Sequence, residues 1–170
     1  MHVNTNRIMD RRRRFAILIG VNYPKTNDRL ISPLNDARAM FNVLSHGLSK
    51  DDSFQSILIT NPSKAKMTKT IDNLCKELKP GDTVVFYFSG HGFVSRGKQY
   101  LKLPGTSRQS LNDCSVALNE VHEKLAQKVG TIGTKILIID ACRSLATKFT
   151  APNDEIILTE NARRNSLRIY

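Results

Sequence analysis

Acidic residues, cysteines and long apolar runs are all scarce in this sequence, and each scarcity excludes a class of protein. The longest apolar runs span only a few residues, and the N-terminus lacks the apolar block of a secretory signal. No membrane span or export is therefore indicated, and we expect a cytoplasmic protein with no membrane partner. The 170 residues, of which 40% are hydrophobic, suffice for one folded domain with a real core.

Only three cysteines are present, Cys75, Cys114 and Cys142. They have neither the even number nor the regular spacing of a disulfide framework, and no CxxC motif or Cys/His cluster suggests a metal site. We therefore expect reduced thiols, no bound metal and no cofactor.

The shortage of acidic residues leaves 26 basic against 15 acidic side chains and a formal net charge of +11. Much of the positive charge lies near the chain ends, in an arginine run at 11–14 and in Arg163, Arg164 and Arg168. Such runs can bind nucleic acid, act as import signals or remain solvated. We favour solvated tails and expect no nucleic-acid partner, because no segment between them interleaves aromatic with basic residues.

The pattern of apolar residues predicts strands that alternate with helices. Helical spacing follows Pro33 up to a stop at Gly47, follows a Ser63 cap, and recurs between Leu118 and Leu125. Such alternation is typical of an α/β fold, with a mostly parallel sheet and helices on both faces. Short apolar runs indicate four strands, at Phe15–Val21, Phe54–Thr60, Thr83–Phe88 and Lys135–Asp140. The absence of polar alternation at Thr83–Phe88 indicates a strand buried on both faces.

Three regions follow from these changes along the chain. Residues 1–14 are expected to form a basic N-terminal tail, and residues 15–150 the folded domain. Residues 151–170 are expected to be a C-terminal linker that ends in the start of a further strand.

Two predicted strands end in residues that carry chemistry. One runs into Ser89, Gly90, His91 and Gly92, and the other into Asp140, Ala141 and Cys142. Because parallel strands end at one edge of a sheet, His91 and Cys142 are expected about 5 Å apart per strand step. A thiol is mostly protonated at neutral pH, so a cysteine nucleophile needs a base such as His91.

The flanking glycines are expected to serve the backbone of this site. Gly90 and Gly92 would let the chain turn sharply around His91 and let a substrate approach. From position alone, the amides of Gly92 and Cys142 form a hypothetical oxyanion hole.

Two acids are expected to line a pocket beside the thiol. Asp140 precedes Cys142 by two residues and so projects to the same side of the strand. Asp36 lies near the start of the first helix, at the same edge of the sheet. A half-buried acid favours a cationic partner, such as a Lys or Arg side chain of a substrate.

Four ordered segments of the chain resemble the large-subunit half of the caspase-like cysteine peptidases, and most closely metacaspases and paracaspases: FAILIGVNY, SPLNDARAM, FYFSGHGF and LIIDACRS. The resemblance covers Phe15 to Ser144 and implies a three-layer sandwich with a His91–Cys142 dyad. It also implies that Asp36, Ser89 and Asp140 bind the residue before the scissile bond. Caspases, which cut after Asp, carry Gln-Ala-Cys where this chain has Asp-Ala-Cys, so the resemblance implies cleavage after Arg or Lys.

The chain also departs from the family pattern. The segment VSRGKQYLKLPGTSRQS at 94–110 is basic, whereas calcium-dependent metacaspases carry an acidic loop here, so we expect no calcium requirement. Family members continue past the cysteine into further strands, and we expect this chain to lack these small-subunit strands and to have an incomplete cleft. The partners expected are a polypeptide substrate and either a second copy or a small-subunit portion. Two functions stay open: an endopeptidase, weakly active in this form, and a catalytically silent module that binds or regulates a partner.

Overall fold

The computed structural model describes residues 12–24, 29–47, 49–105, 111–145 and 166–169, without the side chains at 111, 112, 142–145 and 166–169. These residues form seven strands and four helices. In chain order they are β1 (Arg14–Gly20), α1 (Pro33–His46), β2 (Gln55–Thr60), α2 (Lys64–Glu77), β3 (Thr83–Ser95), β4 (Lys98–Lys102), α3 (Leu111–Cys114), β5 (Ser115–Ala117), α4 (Leu118–Val129), β6 (Thr134–Leu145) and β7 (Ser166–Ile169).

Five of the strands form a parallel sheet in the order β2, β1, β3, β6, β7. The other two, β4 and β5, are antiparallel additions. Because β6 pairs with β3 along twelve consecutive residues, β1 and β4 must both lie on the opposite edge of β3. Along this edge, β1 pairs with the first half of β3, and β4 pairs with the last residues of β3.

The core occupies both faces of this sheet. Along β1, Phe15, Ile17 and Ile19 belong to one buried cluster, which α2 and α4 cover. The alternate residues Ala16 and Leu18 belong to a second cluster, which α1 covers. Burial on both faces explains why β1 shows no polar alternation, since each fully buried Leu or Ile contributes about 1.5–3 kcal/mol. The predicted α/β class, with helices on both faces of a mostly parallel sheet, is confirmed.

The helix ends agree with the signals in the sequence. Pro33 begins α1, and Gly47 follows its last residue. The Ser63 side chain accepts a hydrogen bond from the Lys66 amide at 3.3 Å and so caps α2.

The predicted ends of two strands are wrong. β3 continues past Phe88 to Ser95, and β6 continues past Asp140 to Leu145. The reason is that the β3–β6 ladder runs on without interruption, while β4 pairs with β3 beyond the end of β1. A two-residue turn at Arg96 and Gly97 connects β3 to β4, with φ of 49° and 69°, as two-residue hairpin turns require. This hairpin was not predicted.

The basic tail expected at 1–14 does not extend to its last two residues. Arg14 is the first residue of β1, and its guanidinium lies 2.7 Å from the Asp52 carboxylate. The Arg13 guanidinium lies 2.6 Å from the carboxylate of buried Asp82. The positive charges of Arg13 and Arg14 are therefore paired with carboxylates of the folded domain. Towards the other end of the chain, β7 pairs with β6 in parallel.

Candidate active site

The two predicted motifs lie side by side on adjacent parallel strands. In the register of β3 and β6, Ser89 is the Cα partner of Asp140, and His91 is the Cα partner of Cys142. Neighbouring strands lie about 4.8 Å apart, so the backbone at 91 and at 142 has the expected proximity. The Cys142 side chain lies outside the described part of the chain. The juxtaposition of the two positions is thus confirmed, and the chemistry of the pair stays a prediction.

The motifs were expected beyond the ends of their strands, but they lie within the last parts of β3 and β6. The strand that ends beside them is β1, because its last residue, Gly20, pairs with Ser89. His91 and Cys142 therefore lie just past the carboxyl end of β1, which keeps the site at this edge of the sheet.

The expectation of a sharp turn at Gly90 and Gly92 is wrong, because both lie inside the extended β3. The lack of room for a side chain is a better explanation than a turn for the glycine at position 90. A Cβ atom at this position would lie 3.0 Å from the Phe88 ring and 3.2 Å from the Tyr23 hydroxyl. Gly92 is paired in the sheet with Leu101 on one side and with Arg143 on the other.

The three residues expected in a binding pocket all influence the pKa of one buried phenol, that of Tyr87. The Ser89 hydroxyl, which is only 2% exposed, donates a hydrogen bond to the exposed Asp140 carboxylate at 3.2 Å. Tyr87, two residues earlier on the same strand, packs against α1 with an exposure of 5%. Burial raises the pKa of Tyr87, a hydrogen bond with Ser89 opposes this, and the charges of Asp140 and Asp36 raise it further. The charges of both acids therefore reach the Tyr87 phenol.

Tyr23 contributes to the site, although no pattern in the sequence predicted a role for it. Its hydroxyl accepts a hydrogen bond from the His91 amide at 3.0 Å and donates one to the Lys102 carbonyl at 2.6 Å. Its ring centroid lies 4.8 Å from that of the His91 imidazole. No local spacing could have revealed this role, because the contacts join residues that are far apart in sequence.

Asn22 anchors the helix that carries Asp36. Its side-chain oxygen accepts a hydrogen bond from the Leu34 amide at 3.1 Å, in the first turn of α1. Its own amide donates to the Asn61 side chain at 2.8 Å. Ser32, which directly precedes α1 at the N-cap position, makes no capping bond with its side chain. Asn22 thus caps α1 from outside the helix and fixes the start of α1 relative to β1.

The described residues contain no group of three or more His, Cys, Asp or Glu side chains that could hold a metal ion. None of the helices in this part of the chain is long and apolar enough to cross a membrane.

Comparison with known proteins supports the resemblance seen in the sequence. A family model described as "Caspase domain" matches residues 13–166. Metacaspase-1 of Saccharomyces cerevisiae strain YJM789 is 36% identical over 87 residues, which cover 47% of this chain and 20% of that protein. Metacaspase-1 of Mycosarcoma maydis is 27% identical over 151 residues, which cover 78% of this chain and 36% of that protein. The chain thus spans well under half the length of these curated relatives.

Two solved structures share the fold. A protein of Geobacter sulfurreducens superposes with a TM-score of 0.59 at 18% identity, over 76% of this chain and 50% of that one. The Drosophila initiator caspase Dronc superposes with a TM-score of 0.50 at 17% identity, over 83% of this chain and 60% of that one. The fold inferred from the four sequence segments, a sandwich of three layers, is therefore confirmed.

Proposed function

Because the chain belongs to the caspase-domain family, we propose that it forms the catalytic part of a cysteine endopeptidase with His91 as base and Cys142 as nucleophile. The observation that carries the proposal is the β3–β6 register, in which His91 and Cys142 are Cα partners. A base on the neighbouring strand is close enough to serve a thiol at this position.

In the proposed reaction, the His91 imidazole takes the proton of the Cys142 thiol, and the thiolate attacks the carbonyl carbon of the substrate. The carbon–nitrogen bond then breaks, and the imidazolium returns a proton to the leaving amine. Water, with its proton removed by His91, hydrolyses the thioester and restores the thiol. The thioester intermediate thus divides one difficult step, direct hydrolysis of the peptide bond, into two easier steps.

The amides of Gly92 and Cys142 are proposed to hold the oxyanion formed in both halves of the cycle. Gly92 lies between two paired strands. Its amide serves this role if substrate binding opens the sheet beyond the end of β1.

The substrate is proposed to be a polypeptide with Arg or Lys before the scissile bond. Asp36, Ser89 and Asp140 would bind this side chain. Two observations support a cationic side chain: both acids lie close enough to Tyr87 to raise its pKa, and Ser89 orients the Asp140 carboxylate. A guanidinium placed between the acids would make charge-assisted hydrogen bonds. A cytoplasmic location, independence of calcium, and association with a second copy or a small-subunit portion belong to the same proposal.

A second candidate function is that of a catalytically silent caspase-like module. The observation that favours it is the pairing of Gly92 on both sides, which leaves the backbone of the motif within the sheet. Such a module would bind or regulate a partner.

A peptidyl-arginine chloromethyl ketone distinguishes the two candidates, because only a competent site attacks it. We expect this probe to modify Cys142 selectively, leaving Cys75 and Cys114 unmodified, and we expect a matched peptidyl-aspartate probe to react at least tenfold more slowly. Turnover of a fluorogenic peptide ending in Arg should disappear in Cys142→Ala. Equal slow labelling of all three cysteines would favour the silent module.

A further inference from the structure

The edge of β3 that faces β1 and β4 changes partner at the position of the proposed base. The last pair with β1 joins Gly20 and Ser89, and the first pair with β4 joins Gly92 and Leu101. Gly90 and His91 thus lie between the last residue of β3 that pairs with β1 and the first that pairs with β4.

The side chain of Tyr23 occupies this break between the two strand pairings. The chain leaves β1 at Gly20, and three residues later the Tyr23 hydroxyl accepts the His91 amide hydrogen at 3.0 Å. The same hydroxyl donates to the Lys102 carbonyl, at the end of β4, at 2.6 Å. One phenol oxygen thus connects the backbone of β3 at His91 to the backbone at the end of β4.

Tyr23 is itself held firmly. Its side chain is 1% exposed within the core cluster, and its backbone has a φ of 52°, which is uncommon for a residue with a Cβ atom. Its hydroxyl lies 3.2 Å from the point that a Cβ atom at position 90 would occupy. Gly90 therefore leaves the room in which the Tyr23 hydroxyl reaches the β3 backbone.

The ring of Tyr23 also touches the imidazole. The two ring centroids lie 4.8 Å apart, with the planes inclined by 35°. This contact lies within the usual range for a favourable pair of aromatic rings. Tyr23 therefore acts on His91 twice, through the backbone amide and through the side chain.

We propose that Tyr23 is a positioning residue for His91. Tyr23 fixes the backbone and the ring orientation of His91 at the point where the neighbour of β3 changes from β1 to β4. That this orientation matters for catalysis rests on the proposed function. The loss of one hydroxyl group in Tyr23→Phe should therefore loosen His91 while the sheet on either side stays formed.

The test of positioning uses nuclear magnetic resonance on the whole chain and needs no activity. In the wild-type protein we expect cross-peaks between the ring protons of Tyr23 and His91, and slow exchange of the His91 amide. Tyr23→Phe should exchange this amide at least tenfold faster, with the amides of the β1–β3 ladder unchanged. Tyr100→Phe is the matched control, since Tyr100 lies on β4 and stacks on Phe93 at 5.1 Å, and it should leave the His91 amide unchanged. Absence of the ring cross-peaks in the wild type, or unchanged exchange in a folded Tyr23→Phe, overturns the proposal.

A second measurement separates this proposal from the proposed function. Alkylation of Cys142 by iodoacetamide should slow at least threefold in Tyr23→Phe, with the rate at Cys114 unchanged. If His91→Gln leaves the alkylation rate of Cys142 unchanged, the role of His91 as base fails, while the exchange data still decide whether Tyr23 positions it. If His91→Gln slows Cys142 and a folded Tyr23→Phe does not, Tyr23 is not a positioning residue for catalysis.

Discussion

His91 and Cys142 are Cα partners in the parallel ladder of β3 and β6, although one follows the second helix and the other the last. The pairing puts a base and a thiol on neighbouring strands, at an edge of the sheet where β1 has ended.

The reactivity of Cys142 should depend on His91. Iodoacetamide reacts with thiolates, so we expect Cys142 to be alkylated faster at pH 7 than Cys75, because burial raises the pKa of the Cys75 thiol. His91→Gln should slow the reaction at Cys142 about tenfold or more, since general bases contribute at least this much. Mass spectrometry of the labelled peptides gives all three rates, and Cys114 serves as the internal control. Equal rates at Cys142 in both proteins would exclude the dyad.

The preference for a basic residue should depend on Asp36 and Asp140. Asp140→Asn and Asp36→Asn should each slow labelling of Cys142 by a peptidyl-arginine chloromethyl ketone about 10–100-fold, because hydrogen bonds to charged groups contribute about 1.5–3 kcal/mol. The rate with iodoacetamide, which has no arginine, should stay within about twofold. If both probes slow equally, the acids act on the thiol and not on the substrate.

The cap that Asn22 supplies should contribute to stability. Asn22→Ala removes the acceptor of the Leu34 amide, and loss of a cap costs about 1 kcal/mol, within a range of 0.5–2. The free energy of unfolding, measured in urea, should fall by about this amount. Asn73→Ala is the matched control, because Asn73 is exposed on α2 and contacts only Lys76 among the bonds identified, at 3.5 Å. A control variant as unstable as Asn22→Ala would refute the assignment.

Asp82 should make stability depend on pH in the acid range. Burial acts to raise the pKa of Asp82, but hydrogen bonds from Arg13 and Lys79 outweigh it and hold the pKa below its usual value. The stabilisation is therefore complete above the unfolded pKa of about 3.9 and is lost as the pH falls through the lower folded pKa. Asp82→Asn should lower the free energy of unfolding at pH 7 by about 1–3 kcal/mol.

The same substitution should also weaken the acid dependence of stability, which urea titrations at several values of pH would measure. Asp52→Asn is the control, since Asp52 pairs with Arg14 but its side chain is 59% exposed. Exposed pairs contribute about 0–1 kcal/mol, so this variant should change little. An acid dependence that is identical in Asp82→Asn and the wild type would contradict the role of Asp82.

Local patterns predicted most of the elements, because burial and capping act over a few residues. The apolar run from Phe15 identified a buried strand, and Pro33 and Gly47 marked the ends of the first helix. The same patterns missed β4 and the full length of β3. These segments, SGHGFVS and KQYLK, mix polar residues and glycines with a few apolar ones. They become strands only because an edge of β3 is available beyond the end of β1.

By itself the sequence determined the class of fold, the family and the identity of the candidate site residues. The reason is that periodicity, helix caps and the motifs around His91 and Cys142 are local patterns of neighbouring residues. Only the tertiary structure decided which residues meet. The Tyr23 hydroxyl reaches His91 and Lys102, and Ser89 reaches Asp140, through the pairing of strands that are distant in sequence. The physical reason is that hydrogen bonds between distant segments depend on strand order and register, which the whole chain sets at once.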